Sequence, residues 1–301
     1  MRRVASAEAA LLLTVVIWSV NFSAVKIGLS DISPLAFSVV RFVMAATVTV
    51  AIVRWREGPL RFARKDWPLL LGAALSGITF NQVVFVNALN ETTAVNVALL
   101  TGTIALWTAI IAVAVGQERL DVRHWIGVLA GLGGVVLIIV GGGQAGAVGG
   151  GSVVGDAYAL LVAISWAVYS VLIRPLMTRY SALQISAFVM TVGTAILVPF
   201  AIPDLLAQDW SHIGTPAIAG LLYATFPSVV LTNILYFTAI HKVGAARASL
   251  YIYLEPFLGV LFAVWLLSEG VSITQLVGGL IVVGSILIAR PRQPAIAEPG
   301  V

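Results

Sequence analysis

Two ionisable side chains, Arg41 and Glu255, stand inside long apolar runs of this sequence. A lone charge at the centre of a bilayer costs at least about 2.5–3.5 kcal/mol, so charges within spans usually face a cavity or a partner. Arg41 could attract a substrate carboxylate, and Glu255 could engage an amino group or carry a coupling proton. Alternatively, the two could form an internal ion pair, or Glu255 could be hydrogen-bonded beside a helix break.

Two prolines, Pro227 and Pro256, are expected to interrupt helices in the same half of the chain. Proline has no N–H and removes a helical hydrogen bond, which frees carbonyls to bind a ligand or lets the helix bend. We therefore treat both as candidate hinges, with a static kink as the alternative. Together with Pro199 they predict that the second half is the more distorted one.

Side-chain amides and aromatic rings form a second group of candidate binding residues. An amide buried in lipid without a partner is costly, and aromatic walls suit an amphipathic or aromatic solute. Interhelical hydrogen bonding of the amides and interfacial anchoring of the rings are the structural alternatives. The amides are Asn21, Asn81, Gln82 and Asn233, and the rings are Trp18, Trp166, Tyr169 and Tyr251.

Spacing arranges several of these side chains on shared helix faces. Trp18 and Asn21 are three residues apart, as are Trp166 and Tyr169, so the two pairs predict matched aromatic and polar walls. Tyr251 lies one turn before Glu255.

Other kinds of site find little support. The chain has no cysteine, which excludes disulfides and cysteine-based metal or nucleophile chemistry. Its three histidines lie at or beyond the ends of apolar runs, and no catalytic motif is present. We expect no metal site, no cofactor, no nucleic-acid partner and no catalytic residue, with an intramembrane enzyme as a remote alternative.

The composition is that of a polytopic membrane protein. Of 301 residues, 60% are hydrophobic and 10% are charged, and the mean hydropathy is +1.03. A soluble domain has about 25% charged residues. Because a spanning helix needs about 20 apolar residues, we predict ten spans, near 7–29, 33–54, 67–90, 93–116, 122–141, 154–174, 181–201, 215–241, 244–268 and 271–289.

Basic residues predict the orientation, because cytoplasmic loops hold the excess of Lys and Arg. With the N-terminus inside, 15 of the 17 basic residues fall on inner segments, Lys26 alone lies outside, and Arg41 lies within a span. We therefore expect both termini to be cytoplasmic and the protein to lie in a bacterial inner membrane.

The two halves of the sequence repeat each other. Glu8 and Trp18 match Asp156 and Trp166 at an offset of 148 residues, and later blocks match at an offset of 151. Five spans per half is an odd number, which predicts inverted repeats with a site where the halves meet near the midplane. We assign 1–141 to the first repeat, 142–152 to a Gly-rich outer linker, 153–290 to the second repeat and 291–301 to a cytoplasmic tail.

Glycines are concentrated in the fifth and tenth spans, including Gly127, Gly131, Gly134, Gly278 and Gly284. Small residues let helices approach closely, within a monomer or across a dimer. We place these two spans at the periphery of the bundle and expect a monomer or weak dimer.

These features resemble the drug/metabolite transporter superfamily, in particular its EamA-type ten-helix exporters with two five-helix repeats. The resemblance rests on the run from Ile17 to Phe22, Pro34 with Arg41-Phe42, Ala88-Leu89, Glu255-Pro256, and Glu118 and Glu269 ahead of Gly-rich spans. It is nearest to amino-acid exporters of the YddG type. Many relatives carry a proline where this chain has Ala105, so a kink in the fourth span is not expected to mirror the one at Pro256.

The sequence therefore predicts an all-α secondary transporter in a lipid bilayer that exports small amphipathic metabolites. Amino acids, including aromatic ones, are the leading substrates, moved by alternating access between the repeats. Export of drugs or other metabolites by proton antiport is the alternative. Proton coupling and facilitated diffusion both remain open.

Overall fold

A computed structural model describes residues 2–117, 122–144, 152–243 and 251–288 of the chain. These residues form helices and turns, with no strand among them. Eight helical stretches within them are long and apolar enough to cross a membrane, and the helices at Glu255–Leu267 and Ile273–Ser285 are shorter. The predicted tail at 291–301 and most of the predicted linker lie outside the described residues.

In the described residues of the first half there are seven helices. They are α1 (Arg2–Gly28), α2 (Pro34–Arg56), α3 (Trp67–Ala74), α4 (Asn81–Glu91), α5 (Ala94–Thr101), α6 (Ile104–Ala114) and α7 (Val122–Gln144). A 3-10 turn at Arg64–Asp66 precedes α3, and a π-helical segment at Leu75–Phe80 joins α3 to α4 without interruption.

The described residues of the second half form six helices. They are α8 (Val153–Ile173), α9 (Ala182–Ala207), α10 (Thr215–Thr225), α11 (Thr232–Val243), α12 (Glu255–Leu267) and α13 (Ile273–Ile288). A second π-helical segment, Phe226–Leu231, joins α10 to α11. Most boundaries lie within a few residues of the predicted spans, except that α12 begins at Glu255 and α7 continues three residues beyond the predicted repeat end.

Irregular helical segments occur in both halves of the described chain, so distortion is not confined to the second half. The two π-helical segments are 151 residues apart, and the first contains no proline. Close packing accompanies it instead, because a Cβ on Gly77 would lie 2.5 Å from the Tyr169 ring and one on Gly193 would lie 2.8 Å from the Ala74 carbonyl oxygen.

The fourth predicted span is also broken, contrary to expectation. Residues Gly102 and Thr103 separate α5 from α6, and a turn at Tyr253–Leu254 precedes α12, again 151 residues later. The break in the first half contains a glycine and no proline. Gly102 lets Pro256 pack closely there, because a Cβ on Gly102 would lie 2.8 Å from Pro256 Cγ. Pro256 itself stands in the first turn of α12, where its missing N–H costs no helical bond.

Helices that occupy equivalent positions in the two halves pack against each other in opposite directions. Ser33 N and Leu35 N at the start of α2 donate to Gln208 and Asp204 at the end of α9, whereas Ser181 at the start of α9 donates to Glu57 at the end of α2. Helices α7 and α13 are also antiparallel and pack together.

The glycine-rich helices confirm that their small residues serve close packing. A Cβ on Gly134 would lie 2.7 Å from the Gly278 carbonyl oxygen, and one on Gly278 would lie 2.7 Å from the Gly134 carbonyl oxygen. Contact between α7 and α13 therefore lies within one chain.

The core of the bundle is organised by α1 and α8, which each pack against helices of the other half. Helix α1 contacts α10, α11 and α12, and α8 contacts α3, α4, α5 and α6. Each of these two helices therefore crosses a π-helical segment of the opposite half. The candidate site is built at the crossing of α1.

Candidate functional site

Three neighbouring side chains of α1 contact three different elements. Trp18 Nε1 donates to the Ser228 carbonyl oxygen at 3.1 Å and to Thr232 Oγ1 at 3.0 Å. Ser19 Oγ donates to the Glu255 carbonyl oxygen at 3.1 Å, and Asn21 Oδ1 accepts from Arg41 at 3.2 Å. Helix α1 thus links the second π-helical segment, the start of α12 and the middle of α2.

Arg41 is buried and only partly satisfied. Its Nε donates to the Ala224 carbonyl oxygen at 3.0 Å and its Nη2 donates to Asn21, but its Nη1 is buried without a hydrogen-bond partner. The guanidinium also lies 5.2 Å from the centre of the Phe42 ring. A buried guanidinium nitrogen with no acceptor is costly, so this position favours an additional acceptor.

Glu255 is half-buried at the first position of α12, where a negative charge is favoured by the helix dipole. The Glu255 charge interacts electrostatically with Tyr236. The centre of the Tyr236 ring lies 5.4 Å from the centre of the Trp18 ring. Among the described residues, no Lys or Arg nitrogen lies within 4.0 Å of the Glu255 carboxylate. The ion pair between Arg41 and Glu255 that the sequence allowed is therefore not formed in this structure.

Pro227 and Tyr251 lie near the same crossing. Pro227 is the second residue of the second π-helical segment. The carbonyl oxygens of Ala224, just before this segment, and of Ser228, within it, accept bonds from Arg41 and Trp18. Tyr251 is half-buried and packs against the cluster that contains Leu11 and Tyr236. Backbone carbonyl oxygens at this segment thus accept hydrogen bonds from side chains of α1 and α2.

A second group of predicted residues lies at the other crossing, where α8 passes the first π-helical segment. Asn81 Nδ2 donates to Ser165 Oγ at 2.9 Å and to the Val162 carbonyl oxygen at 3.2 Å. Gln82 Nε2 donates to Asn81 at 3.2 Å, and Gln82 Oε1 is buried without a partner. The structure therefore divides the predicted site residues between two crossings.

Trp166 and Tyr169 differ from their counterparts in α1. Their rings are 5.1 Å apart, and Trp166 is 39% exposed, whereas Trp18 is held by two hydrogen bonds. The equivalent indoles thus occupy different environments in the two halves. Asn233 Nδ2 donates to the Val229 carbonyl oxygen of its own helix at 2.8 Å.

A buried polar network closes one end of the bundle and was missed by the sequence analysis. Both Glu269 carboxylate oxygens accept backbone N–H groups at the start of α5, from Ala94 and Val95, each at 2.9 Å. Lys26 lies 3.2 Å from the same carboxylate. From the sequence, Lys26 and Glu269 are noted only separately. Their contact depends on how α1 packs against the loop between α12 and α13.

The network continues through neutral and acidic side chains. Asp156 Oδ1 accepts from Thr92 at 2.9 Å and from Asn96 at 2.8 Å, and Asn96 Oδ1 accepts from Gln275 at 2.6 Å. These four residues are at most 2% exposed and belong to four different segments. Opening this end would require several buried polar groups to find new partners.

Further residues of the α1 crossing were also missed, namely Ser19, Ser228, Thr232 and Tyr236. One signal existed, because Thr232 stands 151 residues after Asn81 and each directly follows a π-helical segment. The backbone acceptors of Ser228 and Ala224 have no sequence signal. In the described part of the chain, no cluster of His, Asp and Glu side chains is suited to hold a metal ion.

Comparison with known proteins agrees with this architecture. A model described as the EamA-like transporter family matches twice, at residues 5–140 and 153–290. An uncharacterized transporter of Archaeoglobus fulgidus is 29% identical and covers 94% of this chain and 96% of its own length.

Two further relatives have more specific names. A "Probable terminal-alkyne amino-acid exporter" of Streptantibioticus cattleyicolor is 24% identical over 94% of this chain and 93% of its own length. A "Probable amino-acid metabolite efflux pump" of Salmonella typhimurium is 26% identical over 92% of each chain.

Proposed function

Because the chain belongs to the EamA-like transporter family, we propose that it is a secondary transporter that exports small amphipathic metabolites, with amino acids foremost. It works by alternating access between two inverted five-helix repeats in a bacterial inner membrane, with both termini cytoplasmic. The family match over both halves and the antiparallel packing of equivalent helices support this arrangement. The remaining question is which solute the site accepts.

The observation that carries the substrate class is a pair of opposite charges that do not neutralise each other. Arg41 has a buried Nη1 without a partner, and the Glu255 carboxylate has no cationic partner in the described part of the chain. Charges within spans ordinarily face a partner or a ligand. An amino acid has a carboxylate for the first residue and an ammonium group for the second.

The surroundings of these charges favour an amphipathic solute. Trp18, Tyr236 and Tyr251 line the same crossing, and such rings can pack against an apolar side chain or face an ammonium group. The relatives named as amino-acid exporters support the same class. Asn81, Gln82, Trp166, Tyr169 and Asn233 are secondary candidates around the equivalent crossing.

Pro227 and Pro256 remain candidate hinges in this proposal. Each stands at an irregular point of a helix that α1 contacts, and each irregular point has an equivalent in the other half. Release at the end closed by Lys26 and Glu269 requires that network to separate. The site needs no cofactor, and a monomer or weak dimer suffices.

The test is transport of labelled amino acids by the purified protein in proteoliposomes, with and without an imposed pH gradient. We expect saturable flux for at least one aromatic or aliphatic amino acid. Arg41→Gln should reduce flux at least tenfold, and Arg41→Lys should recover only part of it because lysine lacks the planar fork. Flux for none of the amino acids would overturn the substrate class.

Glu255→Gln separates the two coupling mechanisms. If Glu255 carries a proton, the variant loses the response to the pH gradient while retaining exchange of substrate. Normal flux with an unchanged pH response would remove Glu255 from coupling. Glu91→Gln, which alters an exposed carboxylate at a helix end, is the matched control and should behave as the parent protein.

A further inference from the structure

An apolar groove opens on the outer face of the bundle where α3 and the first π-helical segment pass α8. It has a volume of about 300 Å³ and is lined by Gly72, Leu75, Ser76, Phe80, Ile164, Ser165 and Val168. Its two hydroxyls offer little to a polar ligand, because Ser76 donates to the Gly72 carbonyl oxygen and Ser165 donates to the Val162 carbonyl oxygen. Leu75 and Phe80 are nearly half exposed, which opens the groove towards lipid.

The equivalent position in the second half is filled by a tyrosine. Gly72 stands three residues before the first π-helical segment, and Tyr223 stands three residues before the second. The Tyr223 hydroxyl donates at 3.2 Å to the carbonyl oxygen of Ile17, the residue of α1 that corresponds to Ser165 of α8. The groove is therefore the space that a tyrosine side chain occupies in the other half.

A cationic rim precedes the groove along the chain. The segment that joins α2 to α3 and its flanking turns hold five exposed basic residues, Arg54, Arg56, Arg61, Arg64 and Lys65. In the described part of the chain, none of the five has a carboxylate within 4.0 Å. Both acidic residues of the segment are engaged by the start of α9, Glu57 by Ser181 and Asp66 by Arg179 and Tyr180.

Aromatic contacts hold this rim in place beside the membrane boundary. The Phe62 ring packs edge-on against Tyr180 and Phe188 at centroid distances of 4.8 and 5.0 Å. Trp55 and Trp67, which are 82% and 47% exposed, flank the rim on both sides. Exposed tryptophan at a span end is typical of the headgroup level of a bilayer.

The rim and the groove belong to one continuous helical stretch, Arg64–Glu91. Gly72, Ser76 and Phe80 recur every four residues along it and line the groove, and Arg64 stands at the start of the stretch, about two turns before Gly72. Arg64 lies about 12 Å along the axis from Gly72 at a rise of about 1.5 Å per residue. This spacing matches a lipid whose headgroup lies at the rim and whose acyl chain extends into the groove.

The second half provides an internal contrast. Its equivalent segment between α9 and α10 contains no Lys or Arg. Hydrogen bonds with Ser211 and His212 keep the pKa of Asp209 below its ordinary value, so that loop carries a negative charge near neutral pH. The cations and the open groove thus occur together in the first half, and both are absent from the equivalent place in the second.

We propose that this surface is a binding site for one anionic phospholipid, with the phosphate of the headgroup at Arg61, Arg64 and Lys65 and an acyl chain in the groove between α3 and α8. Clusters of basic residues beside a span attract anionic lipid, and each cation contributes about a fivefold gain in affinity. The site is independent of the substrate crossing at Trp18.

Native mass spectrometry of the detergent-purified chain with phosphatidylglycerol or phosphatidylcholine of identical acyl chains tests the proposal. We expect one bound phosphatidylglycerol with at least a tenfold preference over phosphatidylcholine. Arg64→Gln with Lys65→Gln should remove most of that preference, because two cations together contribute about 25-fold. Equal binding of both lipids by the parent protein would overturn the proposal.

Gly72→Tyr, which installs the residue of the other half, tests the groove separately. A Cβ at Gly72 would meet only the Leu172 side chain, at 3.2 Å, so the helix can accept a side chain there. This variant should lose phosphatidylglycerol at least tenfold despite an intact rim. Tyr223→Gly is the matched control, because it opens a groove without cations and should gain no preference for the anionic lipid.

A fluorescence measurement on the parent protein keeps the test independent of variant folding. Phosphatidylglycerol brominated in its acyl chains should quench the tryptophan emission at lower concentrations than brominated phosphatidylcholine. Quenching that is equal for both lipids would contradict a site for the anionic lipid.

Discussion

Individual side chains of α1 hold the candidate site together by bonding to groups on other elements. Trp18 bonds to the Ser228 carbonyl oxygen, Ser19 bonds to the Glu255 carbonyl oxygen and Asn21 bonds to Arg41. Because an unpaired polar group in the membrane interior is costly, these bonds help to specify how α1 meets its neighbours. Arg41 Nη1 is buried without a partner, and it is the atom on which our substrate assignment depends.

Trp18→Phe is expected to lower the free energy of unfolding by about 1–2 kcal/mol, because it removes two hydrogen bonds from a partly buried indole. The measurement is thermal or chemical unfolding in detergent. Trp166→Phe is the matched control at the equivalent position, where the indole is 39% exposed, and should change stability by less than about 0.5 kcal/mol. Equal losses in both variants would contradict an asymmetric role.

Glu269→Gln is expected to destabilise the folded chain by about 2 kcal/mol. The variant loses the charge that pairs with Lys26 and one of the two oxygens that accept the N–H groups of Ala94 and Val95. Lys26 is partly exposed, which reduces the contribution of the pair. Chemical unfolding measures the effect, with exposed Glu91→Gln as the control; a change as small as that of the control would show that the network contributes no stability.

At the scale of elements, the irregular points of the helices recur with the period of the repeat. The π-helical segments and the breaks at residues 102–103 and 253–254 are each 151 residues apart. Proline is present at two of these four points, so it explains half of them. The others depend on glycine, which lets a neighbouring ring or a proline approach where a Cβ would collide.

The seam between α7 and α13 supplies a matched pair of substitutions. Gly134→Ala places a Cβ about 2.7 Å from the Gly278 carbonyl oxygen, which should force the helices apart and cost about 1–3 kcal/mol. Gly133→Ala meets nothing within 4 Å and should be neutral or stabilise the helix by up to about 1 kcal/mol. Thermal unfolding in detergent measures both, and equal effects at the two glycines would show that the seam is not close-packed.

For the whole molecule, equivalent helices of the two halves meet in opposite directions. Helices α2 and α9 are tethered at both ends, by Gln208 to Ser33 at one end and by Glu57 to Ser181 at the other. This is the arrangement expected of the inverted repeats that we propose. The pattern also brings the cationic segment after α2 and the acidic segment after α9 to opposite ends of the bundle.

The proposed orientation predicts which loops a reagent outside the cell can reach. The chain has no cysteine, so single cysteines can be introduced without a background signal. Asp209→Cys should react with an impermeant maleimide in intact cells, and Arg61→Cys should react only after the membrane is permeabilised. Both positions are exposed, which makes them a matched pair. If Arg61→Cys reacted in intact cells and Asp209→Cys reacted only after permeabilisation, the orientation would be opposite to the proposed one and the fold would be the same.

The sequence by itself determined the features that depend on local composition and on repetition. Apolar length located the helices, and basic residues predicted an orientation. The 148- to 151-residue period predicted two repeats, and the family model matches once in each half. Small residues in the fifth and tenth spans predicted close helix contact, which Gly134 and Gly278 confirm. These properties can be predicted from sequence because each depends on residues near one another in the chain or on copies of one segment.

Only the tertiary structure decided which distant groups meet. Arg41 and Glu255 are at similar predicted depth, yet Arg41 bonds to Asn21 and the Ala224 carbonyl oxygen instead of the carboxylate. The first π-helical segment contains no proline, so no signal in the sequence predicts it. The polar network around Glu269 joins residues as much as 179 positions apart. Backbone acceptors and packing against glycine have no sequence signature, because they depend on the positions of neighbouring helices and not on residue type.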